Sequence, residues 1–221
     1  RFRNRGARAK VDIGRYIGRL GEARAGYEYG RVSSTLVSGD PGVPNSEDDI
    51  GAVRFQLTAD RLDNWDFPSR GYYASADVRV AQSGLGSDLA YERYQLDLQK
   101  AFGFGRHGVT LGARFGETVG DSVPVFDAFS LGGFQNLSGA NERQLLGRDV
   151  LFGRLVYRYQ LRGIEALADR LFLGGSLEAG RIQDRLNGTL GTGEDLRFAT
   201  SAFLAASTVL GPVYLGGGVS E

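Results

Sequence analysis

Every second residue from Leu151 to Leu161 is apolar, aromatic or glycine, and the residues between them include Arg154, Arg158 and Gln160. Side chains along a strand point alternately to opposite faces, so this segment has one greasy wall and one charged wall. The same two-residue period recurs along most of the chain. Ala23, Ala25, Tyr27 and Tyr29 oppose Glu22, Arg24, Gly26 and Glu28. Val53, Phe55 and Leu57 alternate with Arg54, Gln56 and Thr58, and Tyr72, Ala74, Ala76, Val78 and Val80 with Tyr73, Ser75, Asp77 and Arg79. Tyr94, Leu96 and Leu98 oppose Arg93, Gln95, Asp97 and Gln99, and Val109, Leu111, Ala113 and Phe115 oppose Thr110, Gly112, Arg114 and Gly116. Leu171, Leu173, Leu177 and Ala179 oppose Phe172, Ser176 and Glu178.

Two architectures hide a greasy wall of this kind. A soluble sandwich or solenoid packs it against a second layer, and a membrane barrel turns it to lipid around a wet interior. Rows of Arg, Asp, Gln and Glu would be costly in a dry core and cost little in a water-filled lumen, so the pattern favours the barrel. Mean hydropathy is −0.22, which a barrel tolerates because half of each strand faces water. No run approaches the roughly 18 apolar residues of a spanning helix. About ten strands are readable in one domain, 1–221. Short turns at Arg19–Gly21, Phe102–His107 and Leu210–Pro212 alternate with long polar loops at Ser33–Asp49, Gln82–Asp88, Thr118–Glu142 and Gln183–Asp195, the rim asymmetry of outer-membrane barrels. The strand from Lys10 to Ile17 loses its alternation after Gly14, and Phe198–Thr208 and Pro212–Val219 are too rich in Ala and Gly to assign faces.

Composition narrows the chemistry. Lys plus Arg and Asp plus Glu both number 26, so no global basic field recruits nucleic acid. Cys is absent, which removes disulfides and thiolate metal sites. Gly103-Phe-Gly-Arg-His-Gly108 matches a dinucleotide fingerprint, yet a strand pattern follows where a helix is required, so a glycine-rich hairpin is expected. His107, the one histidine, reads as a solvated turn residue, and Glu47-Asp-Asp49 as a solvated loop tip without the spaced ligands of a calcium loop. Asn136-Leu-Ser138 and Asn187-Gly-Thr189 match the glycosylation pattern, which short stretches often do by chance. Trp65, beside a turn, suits a membrane-interface anchor. No G-x-S-x-G elbow occurs, so no catalytic residue, cofactor or metal is assigned. Arg1-Phe-Arg-Asn-Arg5 lacks the apolar core of a signal peptide, and the chain reads as an excised segment.

Two segments carry more information. Asp60-Arg-Leu-Asp63 followed by Phe67-Pro-Ser-Arg-Gly71 builds a reversal whose carboxylates can cap backbone amides. Phe129-Ser-Leu-Gly-Gly-Phe-Gln-Asn-Leu-Ser-Gly139 is a long loop in which Gly132, Gly133 and Gly139 imply a tightly folded chain. Both resemble the outer-membrane assembly and translocation barrel superfamily, which includes the bacterial surface antigen domain. The turn resembles that family's D-x-x-D…F-P-x-x-G periplasmic signature. The loop resembles its sixth extracellular loop, which folds back into the lumen and usually reads G-G-x-x-x-V-R-G-[FY]. Gly174-Gly-Ser-Leu-Glu-Ala-Gly180 resembles the later strand carrying the acidic partner of that arginine, and Leu210-Gly-Pro212 a penultimate turn.

The departures are specific. Leu137-Ser138-Gly139-Ala140 stands where V-R-G-[FY] is usual, so Ser138 replaces the arginine, and Glu178 stands where the aspartate would be. A hydrogen bond from Ser138, or pairing of Glu178 with Arg154 or Arg158, would have to substitute. The L-S-G loop with S-L-E-A-G is similar to the branch fused to patatin-like phospholipases, the type V secretion autotransporters of subtype d. That resemblance implies a Gram-negative outer-membrane barrel that anchors, and helps secrete, a lipase passenger in cis, with lipids, periplasmic chaperones and barrel assembly machinery as partners. It also implies sixteen strands in the whole barrel, with the opening strands and the last strand missing here, and a fragment that should not fold alone as a clean monomer. The rival readings are a barrel-assembly factor or two-partner transporter of the same superfamily, a passive porin, and a soluble β protein. Clustered charge in a constriction loop would favour the porin, and Leu131–Gly139 carries none.

Overall fold

The computed structural model describes residues 2–19, 21–36, 46–120, 124–161, 170–185 and 195–221. They form the strands β1 (Phe2–Ile17), β2 (Gly21–Leu36), β3 (Ser46–Asp60), β4 (Gly71–Ala81), β5 (Tyr91–Phe104), β6 (His107–Gly120), β7 (Phe129–Leu131), β8 (Leu145–Gln160), β9 (Arg170–Arg185), β10 (Arg197–Thr208) and β11 (Gly211–Ser220). All pair antiparallel in one sheet in chain order, except that β7 is a short addition beside β8 and β6 pairs β8 directly. The edges are β1 and β11, so the sheet is an open, partial barrel. Residues 124–144 touch Arg8 on β1 and reach the backbone of β11, so the sheet wraps around them.

The alternation read in the sequence resolves into an outside and an inside. Tyr72, Leu96, Leu111 and Leu155 are all more than a third exposed, and no second layer covers them. Ser75, Asp77, Arg79, Thr110, Arg158, Ser176 and Glu178 are buried on the opposite face. A sandwich would have reversed this. Where the outer face lacks apolar partners it has no protein to pack on, and lipid supplies the apolar solvent.

Faces also become assignable where the sequence left them open. Along β10, Ala199, Ser201, Phe203 and Ala205 are buried while Phe198, Thr200, Ala202 and Leu204 are exposed. Residues directly opposite share a face, so Tyr214 (opposite Ala205), Gly216 (opposite Phe203) and Gly218 (opposite Ser201) turn inward.

Several expectations need correction. β1 keeps its register with β2 as far as Ile17↔Gly21. What changes after Gly14 is the content of the faces, with Arg15 opposite Ala23 and Tyr16 opposite Glu22. Strands run further than the alternation suggested. Ser33 and Asp49 lie inside β2 and β3, and the Gly103–Gly108 hairpin turns over Gly105 and Arg106 alone. Glu47-Asp-Asp49 is therefore a strand end, where Asp49 accepts hydrogen bonds from Arg31 Nε and Nη2 at 2.6 and 2.9 Å. His107 is not a free solvated residue, because its ring meets Phe104 and Tyr159 and its Nδ1 lies 2.7 Å from the Tyr157 hydroxyl. Trp65 does not face the membrane interface. It meets Tyr73 edge-on at 5.2 Å, and Tyr73 shares the inward face of Ser75 and Asp77. The turn carrying Trp65 folds beneath the lumen, which a local reading of the sequence has no means of seeing. Residues 37–45, 121–123 and the Asn187-Gly-Thr189 match lie outside the described residues.

Candidate functional site

The lumen holds two segments, one from each rim. From the long-loop side comes 129–144, which opens with β7 and then coils on itself. Gly132 N–H donates to Asn136 O at 2.6 Å, Gly133 N–H to Ala140 O at 3.1 Å, and Gln144 N–H to Asn141 O at 3.0 Å. Gly132, Gly133 and Gly139 all take left-handed φ, at 122°, 101° and 92°. Leu137 does so as well, at 79°, a conformation that costs a non-glycine residue roughly 1–2 kcal/mol. Two things hold it there. Its side chain is fully buried among Phe129, Leu131, Phe152 and Ile182, and its amide has a carboxylate partner.

That partner is Glu178 on β9, only 3% exposed. Oε2 accepts the amides of Leu137 and Ser138, each at 2.7 Å. Oε1 accepts the Ser138 hydroxyl at 2.7 Å and the Ser176 hydroxyl at 2.5 Å. Ser138 Oγ also accepts Gln135 N–H at 2.9 Å, and Ser176 Oγ lies 2.6 Å from Ser201 Oγ. All of these donors are neutral. Of the two substitutes for the family arginine, the structure takes the serine. Arg154 reaches the loop elsewhere, donating to Gln135 O at 3.2 Å, and Arg158 donates to Pro68 O at 2.6 Å. Neither pairs Glu178 among the described residues.

Space for this docking is made by glycines. A Cβ on Gly180 would lie 2.8 Å from Leu131 Cδ1, and one on Gly218 would lie 2.5 Å from Ser138 Cβ. The first would force the Leu131 side chain to shift, and the second would press on the base of Ser138 itself.

A second anchor, which the sequence did not reveal, lies at the loop's entry. The buried Arg79 (β4) and Tyr91 (β5) both donate to the Asp127 carboxylate, and Arg93 Nε donates to Asp127 O at 3.1 Å. Arg8 approaches the same carboxylate at 3.9 Å and lies over the Phe126 ring at 4.9 Å. Arg93 lies over Phe129 at 4.0 Å. The loop is thus held by β4 and β5 on one wall and by β9 on the other.

From the short-turn side comes 61–70. Asp60 Oδ1 accepts Leu62 N–H at 3.0 Å, and Asp63 Oδ1 accepts the amides of Ser69 and Arg70 at 2.8 and 3.1 Å. Asp63 Oδ2 takes the Ser69 hydroxyl. Slight burial works to raise the Asp63 pKa, but these hydrogen bonds outweigh it and hold the carboxyl below its ordinary value. Gly71, at φ 102°, closes the turn where a Cβ would collide with Arg61 O. So fixed, the turn drives Phe67 (3% exposed) and Pro68 into the lumen, with Phe67 stacked on Phe172 at 4.7 Å.

The two segments meet at one side chain. Tyr214 on β11 touches Phe67 of the turn, at 5.7 Å between centroids, and Phe134 of the loop, at 5.5 Å. Phe134 also meets Phe203 edge-on at 5.5 Å. Phe203 and Tyr214 carried no motif and were legible only from register.

Among the described residues no group of His, Asp and Glu could hold a metal ion. What the arrangement offers is a braced plug: a compact loop, a reinforced turn and an aromatic seat between them, inside a polar wall.

Comparison with known proteins agrees with that anatomy. No curated protein sequence matches the chain. Among solved structures, the barrel-containing chain of BamA from Haemophilus ducreyi, lacking POTRA domains 1–3, superposes with a TM-score of 0.81 at 12% identity. The match covers 99% of this chain and 51% of that one, so this chain spans about half the length of the protein it resembles. At such low identity the likeness establishes the fold. The Omp85 superfamily domain model matches residues 1–180. The chain therefore belongs to the Omp85 superfamily, and its membrane is the outer membrane of a Gram-negative bacterium.

Proposed function

We propose that this chain is the translocator barrel of a patatin-like phospholipase autotransporter, which anchors a fused lipase passenger and helps to secrete it. The observation that carries the reading is the neutral docking of Leu137-Ser138-Gly139 on Glu178, where the superfamily's common pattern places an arginine. On this reading the segment works by position. Inward rows such as Gln95, Asp97, Gln99 and Arg114 give a passing chain a wet, weakly adhering wall, and the braced loop governs how far the lumen opens. On this reading the acyl-transfer chemistry belongs to an upstream domain. Partners follow from the position: outer-membrane lipid, the passenger in cis, and the periplasmic chaperones and assembly machinery that insert any outer-membrane barrel.

The test is made on the full-length protein in cells. Protease added outside should degrade the passenger when the barrel is intact, and passenger should stay in the periplasm when Glu178→Ala undoes the loop. A patatin-type G-x-S-x-G elbow should be encoded upstream. If the upstream region instead carries only transport-associated domains, and depletion lowers the level of many other outer-membrane barrels, the assembly-factor reading takes its place.

A further inference from the structure

The translocation reading makes no use of four arginines gathered at the short-turn rim. Arg70 ends the 61–70 turn, Arg106 tips the β5–β6 hairpin, Arg158 lies on the inward face of β8, and Arg170 opens β9. With Phe67 and Phe172 they line a cavity of about 240 Å³ in which no Asp or Glu takes part among the described residues.

Their condition differs from that of the ion-paired arginines of the lumen. Arg54 pairs with Asp77, Arg79 with Asp127 and Glu28, and Arg114 with Asp97. None of the four rim arginines forms an ion pair among the described residues. Arg158, 6% exposed, spends Nη2 on Pro68 O at 2.6 Å and Thr110 Oγ1 at 3.2 Å, and its Nε and Nη1 find no acceptor there. Asp63 accepts the Ser69 hydroxyl and the amides of Ser69 and Arg70, and makes no ion pair with any of the four guanidinium groups. Four guanidinium groups around one small cavity make its lining positive, and an oxyanion matches both that charge and their planar donor geometry.

Arg158 and Phe172 belong to the inward face, so acyl chains do not reach the cavity and the anion must arrive through water. The stacked pair Phe67–Phe172 makes one wall apolar. Free phosphate has no use for such a wall, whereas a polypeptide carries apolar groups beside its carboxylates. We propose that this cavity docks an acidic stretch of polypeptide entering the lumen from the short-turn rim, with the arginines gripping its carboxylates. The identity of that polypeptide as the passenger rests on the translocation reading; the anion site rests on the geometry alone.

The experiment uses the full-length protein in detergent and a short rhodamine-labelled polyglutamate, with polyglutamine as the neutral control and inorganic phosphate as a second probe. Polyglutamate should bind, polyglutamine should not, and binding should weaken with added salt. Arg106→Glu combined with Arg170→Glu should weaken it by about tenfold or more. Heat-modifiable gel mobility confirms that the variant barrel is folded, and Arg106→Gln, at an exposed hairpin tip, provides a milder second variant. Equal binding of both peptides, binding indifferent to the substitutions, or binding of phosphate without polyglutamate overturns the proposal. Passenger delivery to the cell surface is scored separately. Peptide binding without delivery upholds the site and sinks the translocation reading, and delivery without peptide binding does the reverse.

Discussion

Glu178 accepts two hydrogen bonds from the single residue Ser138, one from its amide and one from its hydroxyl, each 2.7 Å long. A serine can stand where an arginine is usual because the backbone turns with it. The left-handed φ of Leu137 aims two successive amides at one carboxylate oxygen, and the hydroxyl then reaches the other. Short side chain and strained backbone together seat the loop on Glu178.

Removing the carboxylate leaves four donors without it: two amides and two hydroxyls, all in a buried site. Glu178→Ala should cost about 3–5 kcal/mol, since four buried neutral donors lose a charged acceptor, and Ser138→Ala about 1–2 kcal/mol. The temperature at which the folded band disappears in heat-modifiable gels reports both. Equal melting of wild type and Glu178→Ala would remove the bracing role.

The second anchor should be as sensitive. Asp127→Asn keeps the size of the side chain and removes the charge that faces Arg79, Arg93 and Arg8. We expect a loss of about 3 kcal/mol and a loop released at its entry, seen as faster protease cleavage within 124–144 and a larger conductance in planar bilayers. Unaltered conductance would show that the docking at Glu178 holds the loop unaided.

Phe67 and Phe134 come from opposite rims and both rest on Tyr214. Alanine at each should be non-additive, with a coupling of about 0.5 kcal/mol or more that vanishes in a Tyr214→Ala background. Strict additivity in the wild-type background would mean that turn and loop sit side by side without influencing each other.

The turn should respond to acid. The Asp63 carboxyl is held below its ordinary value of 3.8 in the folded turn. A depressed pKa contributes stability that is full above the unfolded value and lost as pH falls through the folded one. Hydrogen exchange at Ser69 and Arg70 should therefore be slow near neutrality and rise, beyond its intrinsic acid dependence, only below about pH 4. Asp63→Asn should exchange faster than wild type near neutrality and lack this acid-induced loss of protection.

How much of this was written locally in the sequence depends on contrast. From Leu151 to Leu161 the period of two sets Leu155 against Arg154 and fixes both faces without a structure. Phe198–Thr208 offers no such contrast: its four alanines say nothing, and Phe203 turns inward while Phe198 turns outward. The turn capping by Asp60 and Asp63 was legible because its donors lie within seven residues. Asp127 was not, because Arg79 and Tyr91 lie 48 and 36 residues away and only sheet register unites them. Trp65 was misread for a related reason. Its neighbours in sequence describe a turn, and only the burial of Phe67 shows that the turn folds inward.

The central claim is that the apolar wall meets lipid while the ionic wall meets water. Leu96 and Gln95, neighbours on β5, test it directly. Spin labels placed singly at each position in lipid vesicles should divide cleanly, with Leu96 relaxed by lipid-soluble oxygen and Gln95 by a water-soluble nickel chelate. If both labels respond to the same agent, the two walls do not separate membrane from lumen, and the account built on them is wrong.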